Sequence, residues 1–442
     1  MTLRLRSHLH KLRSSALALC GIWGVATLFG QNDGVASRLS SLEDYLARAQ
    51  AANPQLDAFE KRYQAATQRI PQAAALPDPM LQVTSFVESV QTRNGPQENA
   101  LMVNQRIPWF GKLDAREKAT SEQAEALWYA YQGQQLMLAR MVSKMYYEYG
   151  YTQRATQLTR ENLDLLAQLE PIVEEKVKAG GDLNALLRLK VEIGKVNDRL
   201  QSLQQKRVTQ SAQLSELLAL PVSTLLPWPE WQKPGLVSPR ATSLLESIEV
   251  NNPQLQMLER KIASAEARIE LAKLESRPDF TVGLNYVQIG DLDTPAMSVD
   301  SGKDAWGVTF GVNIPLWSKK NHAAQAEAAS SQQAIQSEYQ NRLNALKADL
   351  ASSLSSLTDA NRRLELYGEE LLGLAEQAVE NSRTSYQGGR TGILEVIDSE
   401  RSLLELQLLY WRAAADAWQQ LVAAQTLANQ PILGTFQATQ SK

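Results

Sequence analysis

The chain carries one pattern twice, and that repetition limits its fold more than any other feature. Asn53-Pro54-Gln55-Leu56 recurs as Asn252-Pro253-Gln254-Leu255, and Pro77-Asp78 as Pro278-Asp279. Ile107-Pro108-Trp109 recurs as Ile314-Pro315-Leu316, with Trp317 next, and Lys178-Ala179-Gly180 as Gln387-Gly388-Gly389. The offsets are 199, 201, 207 and 209 residues, in the same order. That spacing reads as a tandem duplication with about 200 residues per copy. Between the copies, Pro221, Pro227, Pro229, Pro234 and Pro239 make a helix-free linker, because proline removes a helix donor and clashes with the preceding turn. The expected division is 31–220 for the first repeat, 221–240 for the linker, 241–430 for the second repeat and 431–442 for a tail.

Each copy has the same internal order. A helix of about 35 residues comes first, over Leu42–Leu76 and Ser243–Ser276. Two strands follow, Leu81–Val90 and Asn99–Ile107 in the first copy and Phe280–Ile289 and Trp306–Ile314 in the second. Val308, Phe310, Val312 and Ile314 alternate with Thr309, Gly311 and Asn313, the period-2 pattern of a strand with one apolar face. Turn-rich stretches, Thr92–Glu98 and Gly290–Lys303, separate the strands. A very long helix comes next, Lys112–Lys178 and Lys319–Gln387, with Pro171 inside the first. At 1.5 Å per residue it would span on the order of 100 Å. A glycine-centred break precedes the last helix, Ala185–Leu220 and Leu394–Asn429. Heptads run through these segments. Leu186, Ile193, Leu200 and Leu214 fall on one register, with Leu189, Val196, Leu203 and Leu217 on the other. Leu343, Leu350, Leu357, Leu364 and Leu371 repeat every seventh residue. Helices patterned this way pack lengthwise.

Composition narrows the function. With 45 basic against 48 acidic residues, no basic excess exists to neutralise a phosphate backbone, so nucleic acid is not an expected partner. One cysteine and three histidines leave no thiolate or imidazole metal site, and no nucleophile–base pair, P-loop or nucleotide fingerprint appears. The expectation is a protein that is not an enzyme and has no cofactor or metal. His322 reads as a plain polar residue at a helix start. Residues 1–30 have a secretory layout, with Arg4, Arg6, Lys11 and Arg13 before an apolar run from Ala16 to Gly30. Cys20 is the one position that hints at a lipoprotein box, although Leu19 before it is larger than such boxes favour. Mean hydropathy is −0.31, which excludes a helical membrane transporter.

Strands of about ten residues have the length of tilted membrane β-structure. Four such strands cannot close a barrel and would leave bare edges in lipid, whereas three copies would supply twelve. The fold expected is mainly α with a small β part, made of tandem-duplicated coiled-coil hairpins plus four membrane strands per chain. A homotrimer would then form a 12-stranded β-barrel running into an α-helical tunnel.

The layout and its motifs resemble the TolC-like outer-membrane efflux family over nearly the whole chain after the leader. The resemblance is carried by the two Asn-Pro-Gln-Leu helix starts, by Ile107-Pro108-Trp109-Phe110-Gly111-Lys112, and by Tyr386 to Asp398, with the sequence YQGGRTGILEVID. It implies an outer-membrane exit duct of a tripartite efflux or type I secretion system, passive, with a periplasmic extension. Its partners would be outer-membrane lipid, a periplasmic adaptor and an inner-membrane pump. By the same resemblance the turns after the long helices lie at the periplasmic tip, where Gly180, Gly389, Tyr386 and Arg390 are turn and adaptor-docking positions. Glu395 and Asp398 would line the closed aperture. Tyr386 would latch the tip with an arginine and an aspartate, but those matched positions hold Thr391 and Leu186 here, with Arg390 adjacent. The competing class is a periplasmic coiled-coil adaptor or structural protein of an export complex. Such a protein would carry one hairpin between β-rich domains rather than this order twice.

Overall fold

A computed structural model describes residues 39–232, 239–291 and 300–432. The expected leader with Cys20, the linker residues 233–238, part of the loop between the last two strands, and the tail beyond residue 432 lie outside the described residues.

The helix expected over Leu42–Leu76 is three helices, α1 (Leu42–Ala52), α2 (Pro54–Thr67) and α3 (Arg69–Ala74). Its counterpart is two, α6 (Ala241–Asn251) and α7 (Pro253–Leu274). One break in each half falls at the Asn-Pro pair, and the first half has a further break at Gln68. Proline pushes the residue before it out of the helical region, and Asn53 and Asn252 sit at φ −70 with ψ 118 and 119. Each asparagine has two tasks. Its Oδ1 caps the next helix, accepting from Gln55 N and Gln254 N at 2.9 Å in each case. Its Nδ2 donates to a last-turn carbonyl of the final helix of the same half, Leu217 O at 3.0 Å and Leu427 O at 2.8 Å. The motif recurs because it ties the first helix of each half to the last.

In the first half the long helix α4 (Lys112–Lys178) is continuous through Pro171 and is followed by α5 (Leu183–Leu217). At 67 residues, α4 is about 100 Å long. The second long helix is not continuous. It is α8 (Ser318–Glu365), a π-helical segment Leu366–Leu371, and α9 (Leu372–Gln387), before α10 (Ile393–Leu427). The break lies at Gly368, where an added Cβ would come 2.9 Å from the Tyr410 ring of α10. The π segment adds a residue to the turn and ends the heptad run. Leu350, Leu357 and Leu364 are buried, while Leu371 within the segment is half-buried.

The strands are β1 (Met80–Thr92), β2 (Gly95–Ile107), β3 (Phe280–Ile289) and β4 (Ala305–Val312), in one antiparallel sheet of order β1-β2-β3-β4. β1 and β2 are longer than expected. The anticipated loop Thr92–Glu98 is a tight hairpin turn at Arg93-Asn94, with Gly95 already paired to Thr92 at φ +136. A register shift between Ser85 and Val90 bends β1.

The main core lies midway along the helices. Tyr45, Tyr146 and Tyr149 are fully buried, and Tyr147 stacks on Trp418 with ring centroids 5.3 Å apart. The proline-rich stretch over 221–232 is free of helix, as expected, but it is not a loose tether. Leu226 and Trp231 are buried, and carbonyls of Leu226, Glu230 and Gln232 accept from Tyr149, Tyr146 and Trp418 respectively.

Candidate functional site: an apolar sheet face and paired helical tips

The ladder registers sort the sheet residues onto two faces. One carries Leu81 and Val83 of β1, Leu101 and Val103 of β2, Val282, Leu284 and Tyr286 of β3, and Trp306, Val308, Phe310 and Val312 of β4. The other is mostly polar, with Gln82, Thr84, Asn104, Thr281, Asn285 and Thr309, and also carries Met80, Met102 and Val287. The apolar face is uncovered, with Phe310 79%, Trp306 68% and Val83 65% exposed. A contiguous apolar surface on a sheet whose other face is polar has the pattern of a strand set between lipid and water. Among the described residues no helix is long and apolar enough to cross a membrane.

At the foot of the sheet, where β2 turns into α4 and α7 into β3, a buried ion pair joins the two halves. Lys112 Nζ lies 2.7 Å from Asp279 Oδ1, and both side chains are nearly inaccessible. The same oxygen accepts from Trp109 N at 2.9 Å, while Oδ2 accepts from Arg106 Nη2 at 2.6 Å. Lys112 also donates to Arg277 O at 3.0 Å. Burial alone would raise the Asp279 pKa. The Lys112 ammonium, the Trp109 amide and Arg106 outweigh it and hold the carboxyl at about 2. Both residues stand inside the repeat landmarks, yet nothing local in the sequence marked them as partners.

The two helical tips are built alike. Gly181 N donates to Lys176 O at 2.9 Å and Gly180 N to Val177 O at 3.0 Å. Arg390 N donates to Ser385 O at 2.9 Å and Gly389 N to Tyr386 O at 3.1 Å. Each is a Schellman cap, with Gly180 (φ +95) and Gly389 (φ +68) in the left-handed position a side chain disfavours. Asp182 then caps α5 through Asn184 N at 2.9 Å.

The structure brings Tyr386 to the tip of the other half. It is buried among Leu166, Val173, Leu189 and Val196 of the first half and Ile393 and Val396 of the second. Lys176 Nζ lies 3.7 Å from its ring centroid. Leu186 packs at the edge of the same cluster, and the Thr391 Oγ1 has no hydrogen-bond partner. Arg390 is exposed beyond the cap. Glu395 occupies the third position of α10 and Asp398 follows one turn later, both exposed, with Asp398 Oδ1 3.0 Å from Arg401. One further tip pair escaped the sequence reading. Arg383 Nε donates to Glu400 Oε1 at 2.8 Å, and Glu400 is only 3% exposed. Its i-to-j separation of 17 residues across the turn gives no periodic signal. His322 is exposed near the start of α8.

Comparison with known proteins bears on this geometry. The family model described as "Outer membrane efflux protein" matches residues 244–430. The probable outer membrane lipoprotein SilC of Salmonella typhimurium is 23% identical over 70% of this chain and 66% of its own length. The cobalt-zinc-cadmium resistance protein CzcC of Cupriavidus metallidurans is 22% identical over 86% of this chain and 87% of its own. Among solved structures, a CusC crystal structure described in terms of folding and transmembrane channel formation superposes with a TM-score of 0.74. It is 18% identical and covers 88% of this chain and 92% of that one, which is a likeness of fold.

Proposed function

We propose, from the premise that this chain belongs to the outer membrane efflux protein family, that it is the outer-membrane exit duct of a tripartite efflux system. The observation that carries the reading is the uncovered apolar face of the sheet, which only lipid would satisfy, backed by a polar face that would line water. A four-stranded sheet has two open edges, so three copies would close it into a twelve-stranded barrel. The two halves, alike in element order, in capped tips and in Asn-Pro ties, fit a duplication that gives such a trimer six similar units. The duct is passive, and an inner-membrane pump working through a periplasmic adaptor supplies the energy. The names of two relatives, a cobalt-zinc-cadmium resistance protein and a cation efflux system protein, make metal-cation export the first cargo class to assay.

The tips form the periplasmic end. Gly180, Gly389 and exposed Arg390 offer the adaptor-docking turns, and Tyr386 with Lys176 takes over the latch that Thr391 and Leu186 no longer supply. Threefold symmetry would gather Glu395 and Asp398 into two carboxylate rings that attract cations. In planar bilayers, replacing both with alanine should lower cation selectivity and block by divalent cations while leaving the trimer intact. The reading as a whole is tested by fractionation and mass measurement. The chain should be extracted from outer membranes in detergent as about three times its monomer mass, and a soluble periplasmic monomer would instead favour the adaptor class.

A further inference from the structure

The contact between the two halves of one chain is a template for the contact between chains. Within the chain, β2 pairs with β3, α4 packs on α7, and Lys112 meets Asp279. The equivalent elements of the second half have no such partner. β4 is a sheet edge, and α8 buries no side chain before Leu346 among the described residues. By contrast α4 buries Lys112, Ala119, Ala124 and Ala126 over the matching stretch. At the opposite edge, β1 is unpaired on one side and Asp78 is exposed. Ile314, Leu316 and Trp317 are 72–76% exposed, whereas Ile107, Pro108 and Trp109 are half-buried against the second half.

The repeat landmarks convert one interface into the other. The offset of 207 residues carries Lys112 to Lys319, and the offset of 201 residues carries Asp279 back to Asp78. We infer that Lys319 of one copy forms a buried ion pair with Asp78 of the next copy. In the same contact β4 pairs antiparallel with the next copy's β1, Val312 opposite Leu81, Phe310 opposite Val83 and Val308 opposite Ser85. The register follows from the observed pairing of Gln105 with Val282 and Val103 with Leu284, moved by the same offsets. It sets Val312 opposite Leu81 and Phe310 opposite Val83 on the lipid-side face, with Ser85 the one polar side chain among the three pairs, and a slip of one residue would mix the faces.

The new interface is a thinner version of the old one. Arg106 becomes Asn313, Glu275, whose carboxylate lies 3.6 Å from Lys112 Nζ, becomes Ala74, and the stack of Trp109 on Phe280, with centroids 5.6 Å apart, becomes Leu316 against Pro79. The ion pair between copies therefore has fewer supporting groups than the one within the chain, and no covalent linkage holds its two sides together. The closing contact of the ring is the one most sensitive to loss of a single charge.

This inference rests on the trimeric channel reading, and the experiment separates the two. The full-length chain is produced in outer membranes as Val83→Cys with Phe310→Cys, as each single variant to control for Cys20, and as Val83→Cys with Trp306→Cys out of register. Covalent dimers and trimers on non-reducing gels are expected for the first variant, at least tenfold above the others. In parallel, Asp78→Lys and Lys319→Asp should each reduce detergent-stable trimer about tenfold, and the double exchange should restore most of it. A wild-type trimer with no in-register crosslink and no effect of charge reversal overturns the pairing and leaves the channel reading standing. A wild-type chain that is monomeric in detergent overturns both.

Discussion

In the helical trunk Tyr45, Tyr149 and Leu226 are wholly buried, while in the sheet Trp306, Val308 and Phe310, side chains of the same character, are 62–79% exposed. Both regions follow the rule that apolar area leaves water. The trunk does so within one chain, by folding helices and the proline-rich strap over an aromatic core. The sheet cannot, because among the described residues no helix covers its apolar face. A second medium has to take that face. The difference marks the lipid-facing region, although among the described residues no helix is long and apolar enough to cross a membrane.

The sharpest way to break this comparison is to place a charge on each side of one strand. Phe310→Arg puts a cation on the face assigned to lipid, and assembly into the outer membrane should be weakened by roughly 2–4 kcal/mol if the site lies near the midplane. Thr309→Arg, the adjacent residue on the polar face, should assemble close to normally. Heat-modifiability of the trimer on gels reads both. Equal damage from the two variants would mean that the faces are not sorted by solvent.

A smaller effect is expected where the two regions join. Asp279 has its pKa held at about 2 in the fold against roughly 3.9 when free. A depressed carboxylate stabilises the fold fully above its unfolded pKa, and the contribution is lost as pH falls through the folded value. The junction should therefore lose on the order of 2 kcal/mol between about pH 4 and pH 2. Asp279→Asn should flatten that part of a thermal-midpoint curve against pH. A curve of unchanged slope in the variant would remove Asp279 as the source.

The smallest effect belongs to the tip. Lys176→Met keeps the length of the side chain but removes the charge over Tyr386, costing about 1 kcal/mol of tip contact. Trunk stability should be unchanged, while the closed channel should show more frequent openings in single-channel records. An opening frequency equal to wild type would take the Lys176–Tyr386 contact out of the latch.

Much of this was legible from the residues. The Asn-Pro-Gln-Leu repeats could be found because Asn53 and Asn252 must cap one helix and tie another. The turn landmarks could be found because Gly180 and Gly389 occupy a left-handed backbone position. The apolar alternation of β4 survived into an exposed face because the period of a strand is local. What was missed is non-local. The breaks at Asn53 and Asn252 are written into the Asn-Pro-Gln-Leu helix starts, yet the single helices expected over Leu42–Leu76 and Ser243–Ser276 run through them. The π segment depends on Gly368 meeting a ring from α10, 42 residues on in the chain. The pairs Lys112–Asp279 and Arg383–Glu400 form only when separate helices pack. The Arg93-Asn94 turn lies inside the stretch Thr92–Glu98 expected as loop, but Gly95 to Glu98 already belong to β2.

The central claim is that one face of the β3–β4 pair meets lipid and the other meets water. Single cysteines at Trp306, Gly307, Val308, Thr309, Phe310 and Gly311, in the chain assembled in liposomes, test it residue by residue with a water-soluble, membrane-impermeant thiol reagent. The account predicts alternation, with fast labelling at 307, 309 and 311 and labelling at least tenfold slower at 306, 308 and 310. Uniform labelling along the strand, or protection with the opposite phase, would contradict it.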